Sequence, residues 1–204
     1  QSAPQEYTDC ITFTGETSDF TLAVGSGGAK EWNGTVEYST DHNTWTTWNG
    51  TAVSSVDKKL YLRGSGNTKF YTSKGARLSL SARAACSGNI QTLLEYNNPP
   101  TSIRANYCYY RMFQNCTSLT TAPALPATTL ASYCYSSMFA GCTSLKISAT
   151  QSSEYPTAWR IPSSGTISST ATGWNISMLS STGGTFTSDP SINRTYYGAW
   201  GGSN

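Results

Sequence analysis

Six cysteines carry the chemistry that residue spacing predicts most directly in this chain. They are Cys10, Cys86, Cys108, Cys116, Cys134 and Cys142. The last four form two pairs with a spacing of eight residues. On a helix that spacing is about 12 Å of rise, whereas a disulfide needs Cα atoms within roughly 7 Å. The eight-residue spacing therefore favours free thiols that pack as small apolar side chains. Cys10 and Cys86 lie outside the pairs, and a disulfide between those two stays open as an alternative.

The single histidine offers little support for catalysis. His42 is predicted to lie in a hairpin turn beside Asp41, so a nucleophile and base would have to be assembled on a loop. The Cys-x7-Cys spacing is not that of a zinc site, and no cluster of histidines or carboxylates supplements it. A glycosidase, which would need two dispersed acidic residues to meet in space, is the weaker alternative. We expect a protein that is not an enzyme, with no catalytic residue, no metal and no cofactor.

Four aromatic residues are the candidates for ligand binding in the N-terminal part. They are Trp32, Tyr38, Trp45 and Trp48. Flat rings match the apolar faces of pyranose sugars, so the four could form a platform on which a sugar stacks. The alternative is that the same rings form the core of a β domain and its lid. From the sequence alone both interpretations stay open.

The composition argues against nucleic-acid binding and against a membrane span. Charged residues make up 12% of the chain and the net charge is +2, with thirteen scattered basic residues, so no nucleic-acid partner is indicated. No run approaches the eighteen or so apolar residues that a membrane span needs. A polar, Ser- and Thr-rich composition with many aromatic residues favours an extracellular location.

Alternating apolar and polar residues predict strands in the N-terminal part. The pattern covers residues 11–13, 20–24, 35–39, 59–63 and 77–80, and turn signals such as Asn33-Gly34 separate the segments. Short strands at this spacing predict an antiparallel β-sandwich, which we assign to residues 1–86.

A repeat begins near residue 107. Nine of the thirteen residues from Tyr107 to Leu119 recur identically 26 residues later, from Tyr133 to Leu145. Such a period predicts stacked units that bury their apolar faces against one another. We predict a short helix, a turn and a short strand in each unit. The predicted repeat core comprises Cys108, Met112, Phe113, Cys116, Leu119, Cys134, Met138, Phe139, Cys142 and Leu145.

Two further segments complete the predicted array. Residues 174–182 align with residues 134–142 as a divergent last copy, with Met178 in the place of Met138. Ile90, Leu93 and Leu94 have helical spacing before Pro99-Pro100, which predicts a helical cap over the first unit. The predicted fold class is α+β: an antiparallel β-sandwich followed by a short capped solenoid at residues 87–204.

The segment from Cys116 to Cys142 resembles the BspA-like leucine-rich repeat. It reads Cys-Thr-Ser-Leu, then Leu-Pro-Ala-Thr-Thr-Leu, and ends in Met-Phe-x-Gly-Cys where the family has Ala-Phe-x-x-Cys. This class occurs in surface proteins of gut and oral bacteria, and similar sequences occur in gut phages. Residues 38–41 and 62–67 look like the β module that accompanies such repeats. The resemblance implies a leucine-rich-repeat domain and adhesion or recognition, not catalysis.

Two functions are therefore expected. The first is a secreted or cell-surface adhesin that binds a host or microbial surface protein or a carbohydrate. It would do so through the four aromatic residues, or through Thr120, Thr121 and Lys146 on a concave repeat face. The alternative is a structural subunit that self-associates, such as a virion appendage or a surface filament, for which low charge and polar strand edges are suited.

Overall fold

The structure, a computed structural model, describes residues 9–25, 30–70 and 77–201 and is almost entirely β. The outer ends of the two predicted domains, residues 1 and 204, lie outside the described residues. The strands are β1 (Ile11–Gly15), β2 (Thr21–Val24), β3 (Thr35–Ser39), β4 (Thr46–Thr47), β5 (Val53–Ser54), β6 (Lys59–Ser65), β7 (Leu78–Leu80), β8 (Ala84–Ser87), β9 (Ile147–Ser148), β10 (Thr157–Arg160) and β11 (Thr195–Gly198).

The N-terminal part forms two antiparallel sheets. Strand order is β4-β3-β6-β1-β8 in the five-stranded sheet and β5-β2-β7 in the three-stranded one. The five strands that alternation predicts are confirmed, with small shifts at their ends. Phe13 of β1 contacts Phe20, which directly precedes β2, with ring centroids 6.4 Å apart. Both rings are buried, so they join the two sheets through a shared core.

The alternative of a disulfide between Cys10 and Cys86 is wrong, because all six cysteines are free. In the antiparallel pairing of β1 with β8, Cys86 lies opposite Phe13, three residues along the strand from Cys10. That separation is roughly 10 Å along a strand, beyond the reach of a disulfide. Three is also an odd number of residues, so the two side chains point to opposite faces of the sheet.

The predicted α+β class, in which the sandwich is followed by a leucine-rich-repeat solenoid with a short helix and a short strand in each unit, is wrong. The described residues contain no α-helix, and their helical content is a single 3-10 turn, Ile90–Leu93. That turn stands where the helical cap is predicted, and the Asn89 side chain accepts a hydrogen bond from the Gln91 N–H at its start. The repeats are instead built on continuous runs of turns at residues 106–115, 132–141 and 172–181. The equivalent stretches 107–116, 133–142 and 173–182 are here called coils 1, 2 and 3.

Hydrogen bonds explain why each coil is not a helix. In coil 1 the Met112 N–H donates to the Tyr109 carbonyl (3.2 Å) and the Cys116 N–H donates to the Phe113 carbonyl (2.9 Å). These bonds span three residues, as in β-turns, rather than the four of an α-helix. The remaining N–H groups, at the odd-numbered positions, donate outside their own coil.

The odd-numbered N–H groups hold successive coils together. Phe113 in coil 1 donates to the Met138 carbonyl in coil 2 (2.8 Å), and Phe139 in coil 2 donates to the Met178 carbonyl in coil 3 (3.0 Å). The equivalent bonds confirm the alignment of residues 174–182 as a third copy of the unit. Ser177 in coil 3 donates instead to the carboxylate of Asp189 (2.9 Å), which ends the stack on that side.

Backbone angles show the same period of four residues. Every fourth residue of each coil has a positive φ, which an α-helix excludes for an L-residue. The positions are Tyr107, Arg111, Asn115, Tyr133, Ser137, Gly141, Gly173, Ser177 and Ser181. A left-handed residue at every fourth position therefore stops the turns from continuing as an α-helix.

Identical side chains stack between coils. The rings of Phe113 and Phe139 lie 5.7 Å apart and nearly parallel, and Phe113 also contacts Phe13 of β1 at 6.3 Å. The ten residues assigned to the repeat core are between 0% and 3% exposed. A third antiparallel sheet, of order β10-β11-β9, follows coil 2 in sequence and contributes Trp159, whose ring contacts Phe139 at 6.3 Å. One buried apolar cluster therefore runs from Ile11 to Tyr196.

No helix in the three described ranges reaches the length and hydropathy that a bilayer-spanning segment requires.

Candidate ligand-binding cleft

The turn between β3 and β4 is held by one carboxylate. Oδ1 of Asp41 accepts hydrogen bonds from the backbone N–H groups of Thr44 (2.8 Å) and Asn43 (2.9 Å) and from the Ser39 hydroxyl (2.9 Å). These donors, the Thr44 N–H first, lower the pKa of Asp41 to about 2. The carboxylate is therefore ionised at physiological pH and fixes the turn in place.

A shallow cleft of about 460 Å³ opens beside this turn. It lies between β4 and β5, which are edge strands of the two N-terminal sheets. The lining residues are Tyr38, Ser39, Thr40, Asp41, Thr44, Thr46, Ala52, Val53 and Ser54. The cleft thus combines one aromatic side chain, one ionised carboxylate and several hydroxyl groups, and it contains no basic residue.

Two of the four aromatic candidates belong to the core. Trp32 and Trp48 are 3% and 2% exposed, and their rings stack at 5.1 Å. Trp32 also stacks on Phe70 at 5.3 Å, and the Trp48 indole N–H donates to the Thr51 carbonyl (2.8 Å). The predicted four-ring platform is therefore wrong, since these two rings present no face to solvent.

The other two candidates, Tyr38 and Trp45, remain partly exposed but lie on opposite faces of the sheet. Tyr38 lines the cleft. Its neighbour Glu37 points to the other face and pairs with Arg63, Oε1 to Nε 3.0 Å. The Arg63 guanidinium lies 4.1 Å from the ring centroid of Trp45, on that same face.

Arg63 serves as a clamp between segments of the chain. Its guanidinium also lies 4.1 Å from the ring centroid of Tyr96, so the cation is enclosed by two aromatic rings and one carboxylate. Cation–π contacts of this kind contribute about 0.5–2 kcal/mol each. Trp45 therefore holds the β3–β4 turn on the face of the sheet opposite the cleft, while Tyr38 faces the cleft.

The three candidates in the repeat do not line the cleft. The Thr121 hydroxyl accepts from the Cys86 N–H (2.8 Å) and donates to the Cys86 carbonyl (2.6 Å), which joins the repeat to β8. The Thr120 N–H donates to the Ala84 carbonyl (3.0 Å). Lys146 is exposed, and its carbonyl accepts from the Ala199 N–H (3.0 Å). The hydroxyl of Thr121 and the backbone N–H of Thr120 are thus taken up by contacts that join the repeat to β8.

Most residues of the cleft could not be identified from the sequence. The turn at Asp41 is recognisable from Asp-His-Asn, but β4 and β5 have two residues each and are too short to show alternation. Only their pairing with β3 and β2 brings Thr46 and Ser54 to the cleft. A run of Thr and Ser between two aromatic segments is the only signal available beforehand.

The six thiols are buried and unreactive as nucleophiles. Burial raises the pKa of Cys10, Cys108 and Cys134 to about 12 and that of Cys116 to about 11. The pKa values of Cys86 and Cys142 are raised for the same reason. Since the thiolate is the reactive form, none of these thiols is poised as a nucleophile.

Comparisons of the chain with family models, with curated proteins and with solved structures gave no significant match. The similarity of residues 116–142 to BspA-like repeats therefore stays a prediction that rests on the motif.

Proposed function

We propose that this protein is a non-enzymatic extracellular binding module that recognises a glycan on a cell surface through the cleft beside the β3–β4 turn. The observation that supports this function is the composition of the cleft walls. Sugar rings offer an apolar face and a set of hydroxyls that both donate and accept hydrogen bonds. The Tyr38 ring can pack against the apolar face of the sugar. The Asp41 carboxylate and the surrounding hydroxyl groups can form hydrogen bonds with the sugar hydroxyls.

We prefer a glycan to a protein partner because the cleft lacks the large anchoring side chains of a protein interface. Protein interfaces are usually anchored by large aromatic or arginine side chains in a desolvated centre. The cleft walls hold one partly buried tyrosine and small polar side chains, with Ala52 and Val53 as the remaining apolar residues. Its volume is within the range of about 300–1,000 Å³ usual for small-ligand sites.

The carboxylate is suited to bind sugars throughout the physiological pH range. With a pKa of about 2, Asp41 stays ionised, and its Oδ2, which takes no part in the three hydrogen bonds of the turn, can accept from a sugar hydroxyl. Its fixed position lowers the entropy cost of binding, because the turn is ordered before the ligand arrives. A cleft with one negative charge and no basic residue favours neutral or amino sugars over sulfated or sialylated ones.

A glycan array followed by titration of the best ligand tests the proposal. Two neighbouring residues supply a matched pair of variants: Thr46 lines the cleft, whereas Thr47 is the next residue on the same strand and points to the other face. We expect Thr46→Gln to weaken binding at least tenfold and Thr47→Gln to leave it within twofold. No ligand on the array, or equal effects of the two variants, would overturn the proposal.

Self-association in a larger assembly is the competing function. Size-exclusion chromatography with light scattering separates the two, because an assembly subunit forms ordered oligomers at high concentration and a binding module stays monomeric. Oligomers whose formation is blocked by Thr46→Gln would assign the cleft to an interface between copies instead.

A further inference from the structure

On the opposite face of the same turn, three side chains with metal-binding groups converge. His42 lies in the β3–β4 turn, and Asp9 and Cys10 directly precede β1. One ligand atom from each of the three lies within 4.8 Å of the other two, and the His42 Nε2 is 3.0 Å from the Asp9 Oδ1. Within the described ranges this is the one group of three such side chains at this proximity.

The surrounding residues hold the three groups in place. The His42 ring packs nearly perpendicular to the rings of Tyr61 and Trp45, with centroids 5.1 Å and 5.6 Å apart. His42 has a positive φ of 58°, a conformation maintained by the hydrogen bonds to Asp41 in the same turn. The Cys10 sulfur lies 3.8 Å from the Thr12 hydroxyl on β1. The imidazole, in the β3–β4 turn, and the thiol, directly before β1, are therefore held next to each other by one five-stranded sheet.

We propose that Asp9, Cys10 and His42 bind a divalent transition-metal ion of the Zn²⁺ type. A set of one thiolate, one imidazole and one carboxylate suits zinc and cobalt and is unsuited to Ca²⁺ or Mg²⁺, which prefer oxygen ligands. Bond lengths of about 2.0–2.3 Å separate the ligand atoms of a tetrahedral ion by roughly 3.3–3.8 Å. The observed distances thus need to change by about one ångström.

The chemistry of binding balances without a redox step. A neutral imidazole nitrogen and the Asp9 carboxylate each provide a lone pair, and the Cys10 thiol releases its proton to solvent as the metal–sulfur bond forms. The ion itself stabilises the thiolate that burial otherwise disfavours. Side chains of His42 and Asp9 are 21% and 44% exposed, so an ion reaches the site from solvent. Three protein ligands leave a fourth position for water or for a group of a bound ligand.

Metal binding at Asp9, Cys10 and His42 does not require that the cleft bind a glycan. A bound ion would tie the β3–β4 turn to the start of β1, and so stabilise the fold by binding only the native state. The site and the cleft share the turn but use different side chains, so the two proposals succeed or fail separately.

Cobalt titration of the reduced, chelator-treated protein tests the site. We expect one equivalent of Co²⁺ to produce a thiolate-to-cobalt charge-transfer band that Zn²⁺ abolishes by displacement. Cys10→Ser should remove the band, and Cys116→Ser, which alters a thiol outside the site, should leave it unchanged. His42→Asn should weaken cobalt binding at least tenfold while preserving the turn, because Asn tolerates a positive φ.

Three results would overturn the proposal. They are the lack of a charge-transfer band at stoichiometric Co²⁺, a band retained in Cys10→Ser, and unchanged cobalt affinity in His42→Asn. If Cys10→Ser does not fold, the histidine variant decides the question alone, since its side chain lies in a surface turn.

Discussion

The two halves of the molecule use the same backbone groups in different ways. In the N-terminal sheets, most strands pair with segments distant in the chain, as β1 pairs with β6 and β8, whereas β3 and β4 pair across a short turn. In coils 1 and 2, even-numbered N–H groups bond to the carbonyl three residues earlier, and odd-numbered ones bond towards the next coil. The edge strands β4 and β5 lie beside the cleft, whereas edge strand β8 bonds to the repeat and the stack of coils ends at Asp189. This difference accounts for a candidate ligand site at the edge of the sheets.

The largest expected effect tests whether the two halves share one core. Phe139→Ala removes a fully buried ring that contacts Phe113 and Trp159, and Phe113 in turn contacts Phe13 of the sheets. We expect a loss of about 3–5 kcal/mol in the free energy of unfolding. Denaturation followed by circular dichroism and by tryptophan fluorescence should give one coincident transition at lower denaturant. Two separate transitions would show that the halves unfold independently.

A second prediction distinguishes turns from helices by whether one substitution raises or lowers the free energy of unfolding. Ser177 has a φ of 55°, so Ser177→Gly should be neutral or stabilise the protein by up to about 1 kcal/mol. In a helix the same change would destabilise by a similar amount. Chemical denaturation measures the difference, and clear destabilisation by Ser177→Gly would contradict the turn structure of coil 3.

Gly173 supplies the opposite change in the same coil. A Cβ added there would lie 2.3 Å from the Tyr133 ring, and the residue has a φ of 64°. Gly173→Ala should therefore cost about 1–3 kcal/mol, measured by the same denaturation. A stability equal to that of the unsubstituted protein would show that the Tyr133 ring does not cover this position.

The same comparison shows what sequence reasoning can reach. Alternation finds strands such as β6 because a sheet with one buried face imposes a period of two. The repeat period finds the three stacked copies, since Met112, Met138 and Met178 recur at equivalent buried positions. The backbone within each copy is missed, because Tyr107, Arg111 and Ser177 carry no signal for a positive φ.

The candidate site is only partly accessible to prediction. Asp41, Tyr38 and Trp45 are recognisable as a turn and two aromatic residues, but their distribution over two faces depends on the pairing of β3 with β4. Trp32 and Trp48 are indistinguishable from ligand-binding residues until their burial against Phe70 is known. The approach of Asp9 and Cys10 to His42 is a tertiary contact with no local pattern.

A smaller effect concerns the thiols, which occur in both halves. Unfolded thiols ionise near pH 9.0, whereas Cys108 and Cys134 in the folded protein stay protonated to about pH 12 because burial raises their pKa. The folded state therefore loses stability as pH rises, by about 0.4 kcal/mol per buried thiol at pH 9. Denaturation between pH 7 and 9.5 should show this decline, and a thiol reagent should react slowly until the protein unfolds. Rapid labelling of native protein would contradict the burial of these groups.

The smallest effect concerns the turn alone. The pKa of Asp41 is lowered to about 2, so its contribution to stability is complete above pH 3.8 and is lost as pH falls towards 2. Asp41→Asn keeps hydrogen-bond acceptance and should make stability less dependent on pH in that interval. Parallel acid titrations of the two proteins measure the difference, and identical curves would show that the carboxylate does not hold the turn.

We propose that the edge of the N-terminal sheets, and not the repeat, binds a glycan. Backbone amide chemical-shift mapping during titration with the best ligand from the array tests it most directly. The cleft predicts that the largest shifts fall at residues 38–46 and 52–54. Shifts concentrated at residues 120–146, with none beside the β3–β4 turn, would contradict the claim and assign recognition to the repeat.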